Sequence, residues 1–368
     1  MPTENRMKVC LVAISLGKGG AERSTALLSQ MLEKKGYEVH IVILNNLIDY
    51  SYAGKLFNLG EIKDENDSLA KRMKRFKKLR TYFKEENFDY IIDNRTRVSA
   101  GKEWYYLNYL YKGFRIIYVI RSANLDQYLP KEKWISQQMI KKSHKIVGVS
   151  KHIAKEINSR FSTDKAISIY NPVMEISIIE NNINDEKYII FVGRLEDSVK
   201  NISLLLEGYG QSELPQKNIR LKILGNGEDR DKLIQKAKTL GLSDTVEFVS
   251  FKPDVNPYLK NALFTVLTSR YEGFPRALVE SLAVGTPVVS VDCVSGPNEI
   301  IVNEKNGLLV ENFNAEALAE AMNRMVLDKE LYERCKNNSV ESIAHLSIEN
   351  IAEDWDKLLK NEISSINL

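Results

Sequence analysis

The stretch KVCLVAISLGKGGAERSTALLSQMLEKKGYEVHIVIL, Lys8–Leu44, sets the architecture. Lys8–Leu16 is an apolar run of strand length. Gly17-Lys-Gly-Gly20 makes a tight turn. Ala21, Leu27, Leu28 and Met31 then fall on one side of a helix, and Tyr37–Leu44 returns to strand alternation. A strand, a glycine turn, a helix and a second strand form one βαβ unit of a parallel sheet. The same rhythm continues through strand candidates Phe88–Ile92, Arg115–Ile120, Lys145–Val149 and Ala166–Ile169.

Asn171-Pro172 breaks the pattern, because proline biases the residue before it to an extended form. The polar segment Glu180–Glu186 reads as a linker. A second series follows: Tyr188–Gly193, Leu221–Leu224, Val246–Val249, Leu263–Thr268, Val288–Val291 and Leu308–Val310. Helices are expected at about Ile202–Tyr209, Asp229–Leu240, Arg276–Val284 and Ala315–Met325, with a last one at Ile348–Ile363. The expected fold is α/β, with two Rossmann-like doubly wound parallel sheets facing a cleft. The expected domains are residues 1–172, residues 173–345, and a terminal helix in 346–368.

The chain has 368 residues, 27% charged and 43% hydrophobic, with a formal charge of +3. That length exceeds what one core usually serves. No apolar run approaches the roughly 18 residues a membrane span needs, and the polar start lacks the marks of a secretory signal. The expected place is the cytoplasm, peripheral on the inner face of the cytoplasmic membrane. Near-neutrality argues against a bulk nucleic-acid binder. It hides a division, however: residues 1–172 carry a net +13 and the remainder −10. The basic excess concentrates in Lys71–Arg80, beside Leu69, Met73, Phe76, Leu79 and Phe83 at helical spacing. This stripe reads as an amphipathic helix on the sheet, and the cations of 69–83 suit an anionic membrane surface.

Three well-separated cysteines, Cys10, Cys293 and Cys335, suggest neither disulfides nor zinc. His40, His144, His152 and His345 show no ligand spacing, so no metal and no cofactor is expected. A nicotinamide site is disfavoured, because Gly17-x-Gly19-x-x-Glu22 lacks a third glycine and the second strand ends in Asn45-Asn46. No Gly-Lys-Ser/Thr phosphate loop is present.

The sharpest signal is Ser269-Arg-Tyr-Glu-Gly-Phe-Pro-Arg-Ala-Leu-Val-Glu280 after the strand Leu263–Thr268. Pro275 suits the first turn of a helix. The amides that follow it suit a diphosphate. Glu272 lies ahead of the helix, and Glu280 lies about 7.5 Å along it. One carboxylate can take sugar hydroxyls and the other a ribose. The bland alternative is a solvated loop acid and an Arg276–Glu280 surface pair. Gly193-Arg194 and Lys200-Asn201 add two cations on a strand-to-helix loop, able to neutralise a leaving diphosphate. Gly225-Asn-Gly227 and Gly19-Gly20 make turns at which backbone can approach a ligand.

Together, Gly19-Gly20-Ala21-Glu22-Arg23, Phe191-Val-Gly-Arg194, Lys200-Asn201, Gly225-Asn-Gly227, Glu272 to Glu280, Gly285-Thr-Pro-Val288 and Gly307-Leu-Leu-Val310 resemble glycosyltransferase family 4. These are retaining enzymes of the GT-B fold, of the bacterial cell-surface glycan assembly type. The resemblance spans the chain in order.

The resemblance implies that Arg194 and Lys200 hold a donor diphosphate. Glu272, Gly273, Phe274 and Pro275 hold the sugar, with Ala277 and Leu278 amides at the phosphates and Glu280 at the ribose. It also implies that Phe251, Asn226 and Gly227 border the nucleotide, with Gly193 at the same edge, and that Gly19 and Gly20 approach from the first domain. The implied reaction is metal-independent transfer of a hexose or N-acetylhexosamine from a nucleotide diphosphate sugar, UDP rather than GDP. Its implied acceptor is a glycan or lipid-linked glycan in lipopolysaccharide or capsule synthesis. A same-fold nucleotide-sugar epimerase and a non-enzymatic membrane-surface protein stay open as alternatives. Many relatives carry His where this chain has Ile120-Arg-Ser-Ala-Asn124. Arg121 is therefore a candidate to face the cleft and help hold acceptor or donor, or else a structural arginine bonding loop carbonyls. Arg95 and Arg97 are weaker candidates.

Overall fold

The computed structural model describes residues 6–17, 19–63, 68–173 and 186–362. Most of the linker expected at 180–186, and the end of the last helix at Ile363, lie outside the described residues. The chain forms two compact units, residues 1–172 with 348–368, and residues 173–347.

The first unit carries strands β1 (Lys8–Ala13), β2 (Glu38–Ile43), β3 (Lys55–Asn58), β4 (Tyr90–Asp93), β5 (Arg115–Ile120), β6 (Lys145–Gly148) and β7 (Ala166–Ser168). They form one parallel sheet in the order β3-β2-β1-β4-β5-β6-β7, with Val12 opposite Val42 on one side and Asp93 on the other. Val9–Val12 are fully buried, because helices cover both faces and the strand has no wet side. Strand β3 was not anticipated. It is a short edge strand whose Leu56 and Phe57 are only half-buried, and it lacks the apolar run that marks a central strand.

The first-unit helices are α1 (Gly20–Lys34), α2 (Leu69–Glu86), α3 (Ala100–Tyr105), α4 (Lys133–Lys142) and α5 (Lys151–Phe161). A single π-type turn, Tyr106–Leu110, extends α3. Helix α1 buries Leu27, Leu28, Met31 and Leu32, and ends before Gly36 at φ 90°. Ser68 caps α2 by accepting from the Lys71 amide, and Asn87 in the left-handed region stops it. The apolar stripe of α2 is only partly buried. Leu79 and Phe83 are fully buried, whereas Met73 is 53% exposed.

The second unit holds β8 (Tyr188–Val192), β9 (Arg220–Leu224), β10 (Val246–Val249), β11 (Thr265–Leu267), β12 (Val288–Val291) and β13 (Gly307–Val310), parallel in the order β10-β9-β8-β11-β12-β13. Its helices are α6 (Asp197–Lys200), α7 (Ile202–Gln211), α8 (Arg230–Thr239), α9 (Asn256–Lys260), α10 (Arg276–Ala283), α11 (Pro297–Ile300), α12 (Ala315–Leu327) and α13 (Lys329–Ser342). Asn314 and Asp328 cap α12 and α13 through their side chains. Phe191, Ile223, Val266, Val289, Leu318 and Met322 share one core.

The last helix, α14 (Ile348–Leu359), belongs to the first unit and packs on α1. Trp355 is buried there, and Tyr37 donates to Asp356 at 2.6 Å.

Candidate active site

In the second unit, the loops after β8, β9, β11 and β12 leave the carboxyl edge of one sheet. Gly193 donates to Leu224 O at 3.1 Å, Leu195 to Asn226 O at 2.9 Å, and Asp229 to Leu195 O at 3.1 Å. A Cβ on Gly225 would stand 1.8 Å from Gly193 O, and one on Gly227 2.3 Å from Leu195 O. The glycines are therefore needed because two loops of the chain touch, a reason the sequence reading did not contain. Asn226 accepts from the Phe251 amide at 3.2 Å, which ties the loop after β10 to this turn and leaves the Phe251 ring 44% exposed.

Lys200 closes the short helix α6 rather than opening the next. Asn201, left-handed at φ 48°, turns the chain into α7. Thr268 donates to Lys200 O at 3.1 Å, Arg270 N to Val199 O at 2.8 Å, and Arg270 Nη2 to Asn201 Oδ1 at 2.9 Å. These bonds fasten the lysine's backbone to the loop after β11. Its Nζ then donates to Glu272 Oε1 at 2.6 Å, and Ser269 Oγ donates to the same oxygen at 2.6 Å. The two side chains are 17% and 12% exposed, so the pair is shielded but within reach of a ligand.

Glu272 is held from behind. Its amide donates to Val294 O at 3.1 Å, and Ser295 Oγ donates to Gly273 O at 2.8 Å. Gly296, at φ 99°, has no room for a Cβ, which would fall 2.4 Å from Pro275 Cδ. Sequence reasoning missed Ser269, Thr268 and this Val294–Gly296 turn. The Gly296-Pro297 dipeptide after a strand was the available signal. Burial, with the Glu272 charge beside it, pushes the Cys293 thiol up to about 12, so it stays protonated at neutral pH.

Pro275 takes the cap position of α10 rather than its first helical position, and no side chain caps the first turn. Phe274 and Leu278 are buried and anchor that turn. Ser281 Oγ fixes α10 to β11 through Thr265 at 2.8 Å. Glu280 accepts from Arg276 at 2.7 Å, so the pair named in the bland alternative is present, with its side chains 21% and 19% exposed. Arg194 is 76% exposed, 3.2 Å from Glu196.

In the first unit, Gly19 is extended at φ 162° and precedes α1. A Cβ there would lie 2.2 Å from Glu22 Oε2, so the Glu22 carboxylate already sits over the turn expected to approach a ligand. Gly20 is the first residue of α1.

The acceptor-side reading of Arg95 is corrected. Its guanidinium bonds Asp93 at 2.7 and 3.0 Å and Glu103 at 3.1 and 3.3 Å, lies 3.7 Å over the Tyr106 ring, and is 4% exposed. No ligand can reach it without breaking the cluster. Arg97 is likewise buried, donating to the carbonyls of Asp93, Val119 and Tyr128. Arg121 donates to Asn171 Oδ1 at 2.6 Å and Asn94 Oδ1 at 2.9 Å, joining the ends of β4, β5 and β7. It also lines a small cavity with Ser24, Asn171 and Trp355.

Among the described residues, one group has metal-ligand proximity: Glu38, His40 and Glu86, with ligand atoms within 4.8 Å of one another. Lys8 and Lys55 insert their ammonium groups at 3.0 Å from Glu86 and 2.9 Å from Glu38. Both nitrogens of His40, a fully buried residue, are taken by Tyr82 and Glu38. The group is an ion-pair network.

Comparison with known proteins identifies the family and the fold. A curated relative from Campylobacter jejuni is 27% identical over 90% of this chain and 93% of its own. It is an N-acetylgalactosamine-N,N'-diacetylbacillosaminyl-diphospho-undecaprenol 4-alpha-N-acetylgalactosaminyltransferase. An amylovoran biosynthesis glycosyltransferase from Erwinia amylovora is 24% identical over 93% of this chain and 96% of its own. The crystal structure of TarM superposes with a TM-score of 0.80 at 16% identity, covering 96% of this chain and 98% of that one. The lipopolysaccharide outer core galactosyltransferase WaaB does so with 0.71 at 21%, covering 97% and 100%. These likenesses carry the GT-B fold. The model for Glycosyltransferase Family 4 matches residues 18–174 and that for Glycosyl transferases group 1 matches 174–342, so the chain belongs to the group 1/family 4 glycosyltransferases.

Proposed function

We propose that this glycosyltransferase moves a hexose or N-acetylhexosamine from a nucleotide diphosphate sugar, UDP in preference to GDP, with retention of configuration. The observation that carries the reading is the Lys200–Glu272–Ser269 group at the carboxyl edge of the second sheet. Its partners can be exchanged. A diphosphate takes Lys200, and the released Glu272 oxygen then accepts sugar hydroxyls. Arg194, exposed at the same edge, adds a second cation. Lys200, held in place, and the exposed Arg194 meet the negative charge that develops as the sugar–phosphate bond ionises. The acceptor hydroxyl enters on the face the diphosphate leaves, and a departing phosphate oxygen takes its proton. The proposed mechanism needs no metal, because the cations and the first-turn amides of α10 supply the charge. Glu280 is proposed to give up Arg276 for the ribose, with Phe251 and Asn226 beside the base.

The proposed acceptor is a glycan or lipid-linked glycan in surface polysaccharide assembly. The names of the Campylobacter jejuni and Erwinia amylovora relatives support this, as does a Rhizobium meliloti lipopolysaccharide core glycosyltransferase 32% identical over 48% of this chain. Support for UDP comes from neighbours of the same fold solved with UDP. The basic segment 69–83 is proposed to meet an anionic membrane surface from the cytoplasmic side. The test is mass-spectrometric transfer with a panel of UDP- and GDP-sugars on wild type, Lys200→Ala and Glu272→Ala. Loss of transfer in both variants supports the reading; transfer near wild-type rates in both overturns it. Donor turnover without acceptor would favour epimerase chemistry instead.

A further inference from the structure

Among the described residues of the first unit, five large apolar side chains are at least half exposed: Leu47 at 61%, in the loop after β2, and Met73 at 53%, Val98 at 64%, Trp104 at 50% and Trp134 at 52%. Topology brings the last four together. The steps β3→β4, β4→β5 and β5→β6 run through strands arranged in one direction across the sheet. Right-handed crossovers therefore place α2, α3 and α4 on one face. Contacts agree: the Phe76 ring is 5.5 Å from Tyr105, and Lys142 donates to Asn108 at 2.8 Å. Helices in such units run back against the strands, so their first turns stand at the carboxyl edge of the sheet. Met73 is the fifth residue of α2, Trp104 the fifth of α3 and Trp134 the second of α4, while Val98 lies in the loop after β4. All four thus rim one corner of the unit, at the edge where ligands of open parallel sheets bind.

The same corner is basic. Lys71, Arg72, Lys74, Lys102, Lys131 and Lys133 are exposed there. Seven Lys and Arg lie between 71 and 80 with no acid among them, although Asp64, Glu65 and Asp67 precede them in the chain. The exposure of Met73, against full burial of Leu79 and Phe83, shows that the first turns of α2 are not covered by the sheet. Tryptophan and methionine among lysines match a bilayer interface, where rings lie at headgroup depth and ammonium groups meet lipid phosphates.

We infer that this corner is a membrane anchor. Trp104, Trp134, Met73 and Val98 enter the headgroup layer of an anionic phospholipid bilayer, and the cations of α2 and α4 bind its phosphates. The carboxyl edge of the first sheet then faces the lipid surface. This extends the proposed membrane contact of 69–83 to residues outside it. Its link to a lipid-linked acceptor rests on the proposed function.

The full chain is tested by vesicle sedimentation without donor or acceptor, so failure of transfer and failure of anchoring are read separately. The chain has three tryptophans, and the third, Trp355, is buried and shielded from quencher, so vesicle-induced changes in emission and in iodide quenching report the two rim residues. Phosphatidylglycerol-containing vesicles should shift the emission to the blue and protect it from iodide, whereas phosphatidylcholine alone should do neither. Lys71→Gln, Arg72→Gln and Lys74→Gln together should weaken binding roughly fivefold per charge. Trp104→Ala/Trp134→Ala should weaken it comparably, with an unchanged circular dichroism spectrum and unchanged transfer to a water-soluble acceptor. Equal binding to neutral vesicles, undiminished iodide quenching, or wild-type binding by the double tryptophan variant would each overturn the anchor. So would a dimer that the tryptophan substitutions dissociate without altering vesicle binding.

Discussion

Two ion-pair clusters stand at the carboxyl edges of the two sheets, and they differ in burial. In the second unit, Lys200 and Glu272 are 17% and 12% exposed, and Glu272 has one further donor, Ser269. In the first, Arg95, Asp93 and Glu103 are 5%, 0% and 3% exposed, and Tyr106, Tyr111 and Arg97 close the remaining sides. The charges are of the same kind. A pair that water can reach can trade its partner for a ligand. A sealed one holds loops in place, because separating it would leave charge buried without compensation.

The comparison is broken most severely at Asp93. Burial alone would raise its pKa, yet Arg95 and Arg97 outweigh this and hold the carboxyl below its ordinary value. Asp93→Asn leaves two buried guanidinium groups short of an acid. It should cost about 3–5 kcal/mol and lower the melting temperature by about 10 °C, read by scanning calorimetry. A change within error would mean the cluster is not sealed.

Next in size comes Glu272→Gln. Under the proposed function it should reduce transfer by about 10²–10³ while shifting the melting temperature by no more than a few degrees. If stability falls as far as with Asp93→Asn while transfer persists, the pair is structural and the contrast fails. Arg194→Ala should leave stability unchanged, because its exposed pair with Glu196 is worth little. It should still slow transfer by about tenfold in initial-rate assays. Equal rates would remove Arg194 from the donor site.

The smallest effect concerns a third cluster. Hydrogen bonds from Lys55 and then His40 lower the Glu38 carboxyl to about 2. An unfolded glutamate titrates at about 4.3. The depressed value therefore adds stability above that pH, and the contribution is lost as pH falls towards 2. Glu38→Gln should flatten the acid limb of the stability curve in that window and leave pH 7 activity unchanged. An unaltered limb would show that Glu38 does not set it.

Much of the architecture was legible because buried parallel strands are continuous apolar runs: β1, β5, β8 and β12 were all visible in this way. β3 was not, since an edge strand needs no such run. The loop Ser269–Glu280 was legible by spacing, but its supports were not. Thr268, Ser295 and Gly296 act through backbone contacts between loops distant in sequence, which local patterns do not encode. Arg95 failed for the same reason. In sequence it is a cation after a strand, and only the fold brings Glu103 and Tyr106 around it.

The central claim is that Lys200 and Glu272 exchange each other for the donor. Calorimetric titration of UDP and of a transferable UDP-sugar into wild type, Lys200→Ala and Glu272→Gln tests this most directly. The account predicts that Lys200→Ala weakens both ligands. It predicts that Glu272→Gln leaves UDP binding near wild type and removes the added affinity for the sugar. Wild-type affinity for both ligands in both variants would contradict it.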